Sequence, residues 1–135
     1  MTHKIIRVRD VMKPNFDMVD GVATVADALR TMIHIESKVL IVRKRHEDDE
    51  FGIVTLADIA RKVLAQERAP ERVNIYEIMT KPVVHARPNM DIRYCARLFD
   101  NLDLSRAPVI KDGEVLGIVS LTDMVIKGLL ENMEA

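Results

Sequence analysis

Gly52-Ile53-Val54-Thr55-Leu56-Ala57-Asp58-Ile59 returns sixty-five positions later as Gly117-Ile118-Val119-Ser120-Leu121-Thr122-Asp123-Met124. Both copies read glycine, two β-branched residues, a hydroxyl residue, leucine, a free position, aspartate and an apolar residue. A β-branched run that passes into helix-compatible residues marks a strand giving way to a helix. A duplication of this length means that one structural unit has been used twice, which governs how every other segment is read.

The likeness continues outward from the octapeptide. Arg9-Asp10-Val11-Met12-Lys13-Pro14 answers Tyr76-Glu77-Ile78-Met79-Thr80-Lys81-Pro82, with Met12 and Met79 in register and the proline displaced by one. An extended stretch and a helix follow each. Thr24-Val25-Ala26-Asp27 reads as a capping-box variant, and Val25, Ala28, Leu29, Met32 and Ile33 as one apolar stripe. In the second copy Asp91 or Asn89 can cap, with Ile92, Cys95, Ala96 and Phe99 on the buried side. The strands Val39-Leu40-Ile41-Val42 and Ala107-Pro108-Val109-Ile110 come next, each opening a hairpin into its Gly-Ile-Val strand. The second hairpin turns on Asp112-Gly113, a strong two-residue turn signal. The first is three residues longer, with the mixed-charge tip Lys44 to Glu50 read as a solvated loop. Helices are expected from Ala57 to about Gln66 and from Thr122 to about Glu131, with Glu67 to Arg72 linking the halves. Each unit, 8–67 and 73–132, therefore reads β–α–β–β–α. About 60 residues of this composition do not bury enough surface to stand alone. The expected fold is α/β, with two repeats packed sheet to sheet about a pseudo-twofold axis.

Composition narrows the function classes. The chain has 135 residues, 48% hydrophobic and 30% charged, which suits a globular protein with a proper core. A net charge of −1 is not the basic footprint of a nucleic-acid binder, and 4% aromatic residues without Trp argue against a base-stacking platform. Apolar runs fall far short of the ~20 residues that span a bilayer, and the first residues show no signal-peptide core, so a cytoplasmic protein away from membranes is expected. The lone Cys95 fits a reducing compartment and packs as a small hydrophobe. Five scattered glycines exclude phosphate-binding glycine loops. The four histidines and single cysteine fall at no metal-ligand spacing, and no nucleophile–base set can be drawn. No metal, no catalytic residue and no enzymatic activity are expected.

The order of these elements, with Val-Met-Lys-Pro early and Gly-Ile-Val-Thr-Leu-Ala-Asp-Ile late, twice over residues 8 to 130, resembles the CBS domain, which in tandem forms a Bateman module. The resemblance implies a regulatory, energy-sensing module that binds adenosine-containing ligands in clefts between the repeats, forms a homodimer and signals to a target protein. The ligands it implies are AMP, ADP or ATP, with NAD or S-adenosylmethionine as further candidates.

Thr55 with Asp58, and Ser120 with Asp123, fit the Ser/Thr-x-x-Asp capping pattern, which needs no ligand. The same geometry also suits a nucleotide. A carboxylate can accept from both ribose hydroxyls, and a hydroxyl beside free helix N–H groups suits a phosphate. By the resemblance, Asp58 and Asp123 take the ribose while Thr55 and Ser120 lie near phosphate. Glu36-Ser37-Lys38-Val39 is aligned with Leu104-Ser105-Arg106-Ala107, and the resemblance brings these residues from the opposite repeat. Ser37 and Lys38 would then join Asp123, and Ser105, Arg106 and Ala107 would join Asp58, framing the base, with the basic Lys38 and Arg106 reaching phosphate and either able to serve either cleft. Phe16, Val83 and Val84 would line the adenine, although Phe16 also reads as core. Leu40 stands where the second repeat has Pro108, so the two clefts are inequivalent and the Asp58 site is slightly favoured. A structural or dimerisation module with empty clefts remains the alternative, in which both aspartates only cap.

Overall fold

The computed structural model describes residues 4–133. In chain order the elements are α1 (Val8–Val11), β1 (Asp17–Val19), α2 (Val25–Thr31), β2 (Val39–Val42), β3 (Gly52–Thr55), α3 (Leu56–Ile59), α4 (Ile75–Ile78), α5 (Ile92–Leu102), β4 (Arg106–Lys111), β5 (Glu114–Ser120) and α6 (Leu121–Gly128). This is the α/β pattern expected from the repeat.

The chain divides into two compact units whose limits are not those of the repeats. One unit takes the chain up to Pro14 together with Val84 onward, and the other runs from Asn15 to Val83. Repeats drawn at 8–67 and 73–132 are each cut once, so the opening segment of each repeat packs with the hairpin of the other. Burial explains the cut. Val8 and Val11 of α1 share a core with Phe99, Val109, Val119 and Met124, while Ile75 and Ile78 of α4 share one with Leu40, Val54 and Val63.

In the 15–83 unit the sheet order is β1-β2-β3, with β1 parallel and β3 antiparallel to β2. All four residues of β2 are buried, as a central strand covered on both faces requires. Thr24 caps α2 by accepting from the Asp27 N–H at 3.0 Å. Only part of the expected α2 stripe is core: Val25 and Ala28 are buried, whereas Leu29 is 40% and Ile33 77% exposed. The cause is an early stop. The Asp17 carboxylate accepts the N–H groups of Ile33 and His34 at 3.1 and 2.8 Å, so the helix ends at Thr31 and Ile33 leaves its face. Beyond α3 the helix widens to i→i+5 bonding over Ala60–Leu64, and Glu67 closes it in a left-handed conformation (φ 54°).

In the other unit β4 and β5 form an antiparallel hairpin. Its turn has φ 53° at Asp112 and 78° at Gly113, the two positive values a type I′ turn demands. The first-strand position is reduced to one parallel bridge, Ala86 to Val109. Asp91 caps α5 by accepting from the Arg93 N–H at 2.9 Å, and Ile92, Cys95 and Phe99 face the core as their spacing implies, with Ala96 half-buried.

The repeated glycines lie where the opening segments arrive. Lys13 and Ile118 exchange backbone hydrogen bonds at 2.9 and 2.8 Å, and Ile53 and Thr80 do the same at 2.9 Å each. A Cβ on Gly117 would meet the Lys13 carbonyl oxygen at 2.5 Å, so only glycine lets that backbone approach.

Candidate functional site

Each repeated octapeptide makes a corner in which the last strand residue caps the following helix. In the 15–83 unit, Thr55 Oγ1 accepts the Asp58 N–H at 2.9 Å, and Asp58 Oδ2 accepts the Thr55 N–H at 3.0 Å. This is a complete reciprocal capping box on half-buried residues. In the other unit the pair is built differently. Ser120 Oγ accepts the Asp123 N–H at 3.1 Å and donates its own proton to Asp123 Oδ2 at 3.0 Å. Ser120 and Asp123 are 6% and 8% exposed, and Asp123 Oδ1 faces the Lys13 ammonium at 3.5 Å. A buried carboxylate requires compensation of this kind. The two corners, alike in sequence, thus differ in chemistry: one carboxylate is committed to its own backbone, and the other to a hydroxyl and a cation.

The residues before β2 and β4 lie beside these corners within their own units. Leu56 N–H donates to the Lys38 carbonyl at 3.0 Å, and Leu121 N–H to the Ser105 carbonyl at 2.9 Å. Val39 pairs with Thr55, and Arg106 with Ser120. With Thr55 and Ser120 equivalent, Lys38 corresponds to Ser105, Val39 to Arg106, Leu40 to Ala107 and Ile41 to Pro108. The alignment of Ser37 with Ser105 and of Leu40 with Pro108 is therefore corrected by one residue. A slip of one moves every side chain of a strand to the opposite face. Its origin is the approach to the strand: Lys38 itself takes the left-handed conformation (φ 62°) after a short helical turn at Ile35–Ser37, whereas Asp103 takes it (φ 54°) two residues further from the corner.

Ser37 is 5% exposed and its hydroxyl donates to the His34 carbonyl at 2.8 Å, which holds the turn. Lys38 and Ser105 are exposed, Arg106 is half-buried and Ala107 buried. Phe16 and Val83 are half-buried, and Val84 is exposed. Val83 N–H donates to the Phe51 carbonyl at 3.0 Å, and next to it Lys81 Nζ reaches Asp49 Oδ2 at 2.8 Å, which ties the long β2–β3 loop to this segment. The mixed-charge tip reads in sequence as a solvated loop, yet Asp49 within it is a fixed contact.

Lys13 is the residue that sequence reasoning passed over. Its signal was the difference at one register position, a cation in the first opening segment and Thr80 in the second.

The family model of the CBS domain matches twice, over residues 8–65 and 75–128. The hexameric CBS-CP12 protein from bloom-forming cyanobacteria is 39% identical with a TM-score of 0.88, covering 97% of this chain and 76% of that one. The CBS domain pair of protein MJ0100, solved in complex with 5′-methylthioadenosine and S-adenosyl-L-methionine, is 27% identical with a TM-score of 0.77, covering 97% and 100%. The mitochondrial CBS domain-containing protein CBSX3 of Arabidopsis thaliana is 29% identical over 94% of this chain and 66% of its own length. Across this and two other curated relatives, the chain spans 57% to 66% of their length. With two matched copies over most of its length, a duplicated strand-to-helix corner and the same fold as solved CBS pairs, this chain belongs to the CBS domain family.

Proposed function

We propose that this chain is a regulatory module that binds adenosine-containing ligands at its Asp–hydroxyl corners and passes the bound state to a target protein. The observation that carries the reading is the Asp123 corner, where a carboxylate, a hydroxyl and a cation converge within 3.5 Å on a mostly buried site. A ribose diol needs acceptor oxygens, and a buried carboxylate supplies them with little competition from water. The MJ0100 CBS pair, a relative of matching fold, binds two adenosine derivatives, which supports the same ligand class here. We take AMP, ADP and ATP as the first ligands to try, with NAD and S-adenosylmethionine beside them. The role is regulatory and not catalytic, and bound ligand acts by favouring one of two states of the module. Self-association, as a homodimer at least, fits a family in which the CBS-CP12 protein is hexameric. Among the described residues no helix is long and apolar enough to cross a membrane, and we place the protein in the cytoplasm.

Of the residues named from sequence, Asp123, Ser120, Ser105, Arg106, Ala107 and Val84 belong to the unit with the less self-contained corner. Asp58, Thr55, Ser37, Lys38, Phe16 and Val83 belong to the other. The complete capping box at Thr55 and Asp58 favours a second reading for that corner alone, in which it caps without holding ligand. Calorimetric titration of the full chain with the five ligands tests both. Binding at micromolar to low millimolar ligand, abolished by Asp123→Ala and retained by Asp58→Ala, is the expected pattern. No heat and no rise in melting temperature with any ligand would reject the regulatory reading.

A further inference from the structure

Within the Asp123 corner the resemblance puts Ser120 near a phosphate, yet Ser120 is poorly placed to hold one. A hydroxyl has one proton. Ser120 spends its proton on Asp123 Oδ2 at 3.0 Å and is only 6% exposed. While that bond stands, Ser120 can offer a lone pair to a ligand but no donor, and a phosphate needs donors. A carboxylate left alone beside the ribose would also repel a phosphate on the same ligand.

We propose that Lys13 supplies what Ser120 does not, and makes the Asp123 corner select an adenosine ligand that carries a phosphate; this rests on the reading that the corner takes a ribose. The Lys13 ammonium has three donors, stands 3.5 Å from Asp123 Oδ1 and has a side chain 46% exposed. It can stay paired with the carboxylate while its outward donors meet an anion. Its origin is fixed, because the Lys13 backbone exchanges hydrogen bonds with Ile118 at 2.9 and 2.8 Å and packs against Gly117. Only the four-carbon stem moves, so the charge searches a small volume next to the ribose position. At the equivalent place in the other unit, Thr80 makes the same backbone exchange with Ile53 and carries no charge. At this register position the charge therefore belongs to one corner.

The test titrates the full chain with AMP, adenosine and S-adenosylmethionine, in wild type, Lys13→Thr and Lys13→Met. Lys13→Thr copies the residue that the fold already accommodates at Thr80, and Lys13→Met keeps the apolar stem if the threonine variant folds poorly. A lost charge-assisted hydrogen bond predicts AMP binding weaker by about tenfold to a hundredfold in both variants. Adenosine should stay within about twofold, S-adenosylmethionine should hold or improve, and the salt dependence of AMP binding should flatten. Lys13→Arg should retain AMP. Equal weakening of AMP and adenosine would reduce Lys13 to a structural role, and unchanged AMP binding would remove it from the site; either overturns the proposal while ligand binding itself stands. If wild type binds neither AMP nor adenosine, the nucleotide reading fails and Lys13 selectivity fails with it.

Discussion

Replacing Gly117 by alanine tests whether the repeated glycine exists to admit the opening segment. A Cβ there would stand 2.5 Å from the Lys13 carbonyl oxygen, 3.2 Å from its carbon and 3.3 Å from Met12 Sδ. The carbonyl has to retreat by about 0.9 Å to reach an ordinary 3.4 Å contact. That carbonyl accepts the Ile118 N–H at 2.8 Å, so the retreat stretches the bond beyond useful length and strains its partner from Lys13 N–H. Two such bonds are worth about 1 kcal/mol each, and overpacking adds about 1–3 kcal/mol. Restricting the unfolded chain returns about 0.4–1 kcal/mol. A net loss of about 2–4 kcal/mol follows. Gly52→Ala is the internal control: its closest contacts are the flexible Met79 Sδ at 3.1 Å and the Thr80 carbonyl and Val42 Cβ, both at 3.3 Å. Shifts of a few tenths of an ångström relieve these, and the cost stays within about 1 kcal/mol. Urea denaturation followed by circular dichroism should therefore lower the midpoint by about 1–2 M for Gly117→Ala and much less for Gly52→Ala. Equal losses in the two variants, or a larger one at Gly52, would refute the close-approach argument.

Two further predictions concern titrating groups away from the corners. The Asp49 carboxyl is held well below the usual carboxylate range, chiefly by its hydrogen bond from the Lys81 ammonium and then by the Arg45 N–H. Its folded pKa lies below the unfolded value near ~3.9, so its contribution is complete above that value and drains away as pH falls below it. The melting-temperature gap between wild type and Asp49→Asn should then be open at pH 7 and narrow towards pH 2.5; a gap that does not change with pH contradicts the pairing. The Cys95 thiol is pushed up to about 11 by burial. It stays protonated at pH 8 and should react with an aromatic disulfide reagent only as fast as the α5 core opens. Its contribution to stability is present below the unfolded thiol value and is lost as pH rises from there through the folded value of about 11. Labelling of the native chain at the rate of an exposed thiol would show that Cys95 is not held in the core.

Local chemistry was legible because local chemistry decided it. Thr24, Asp91, Thr55 and Ser120 all cap where a short polar residue precedes an apolar helix, and Asp112-Gly113 turns the second hairpin. Three features were not legible, each for a physical reason. The end of α2 is set by Asp17, a residue from a neighbouring strand, and no pattern within the helix announces it. The alignment of the β2 sequence with the β4 sequence shifts by one because two serines, Ser37 and Ser105, invite superposition while the turn before each strand differs in length. The exchange of opening segments between units is a long-range event, decided by where Val8, Val11, Ile75 and Ile78 find a core.

That exchange also explains why two corners of nearly identical sequence differ. Strand, cap and helix in each octapeptide answer to one another, and duplication preserves their mutual fit. What approaches each corner's glycine is the backbone of an opening segment, Lys13 at Gly117 and Thr80 at Gly52, set in place by paired main-chain hydrogen bonds. A position fixed by backbone pairing tolerates any side chain that can reach solvent, so it can change charge without disturbing the fold. In this chain one of the two positions carries a cation, and beside it the carboxylate is released from backbone capping into an ion pair. In the unit where that position is an uncharged threonine, Asp58 keeps its capping box. Exchanging the two residues, Lys13→Thr with Thr80→Lys, should leave stability within about 1 kcal/mol if this separation of scaffold from selectivity holds. A loss as large as that of Gly117→Ala would mean that the Lys13–Asp123 pair is part of the scaffold, and that the corner has no charge to spare for a ligand.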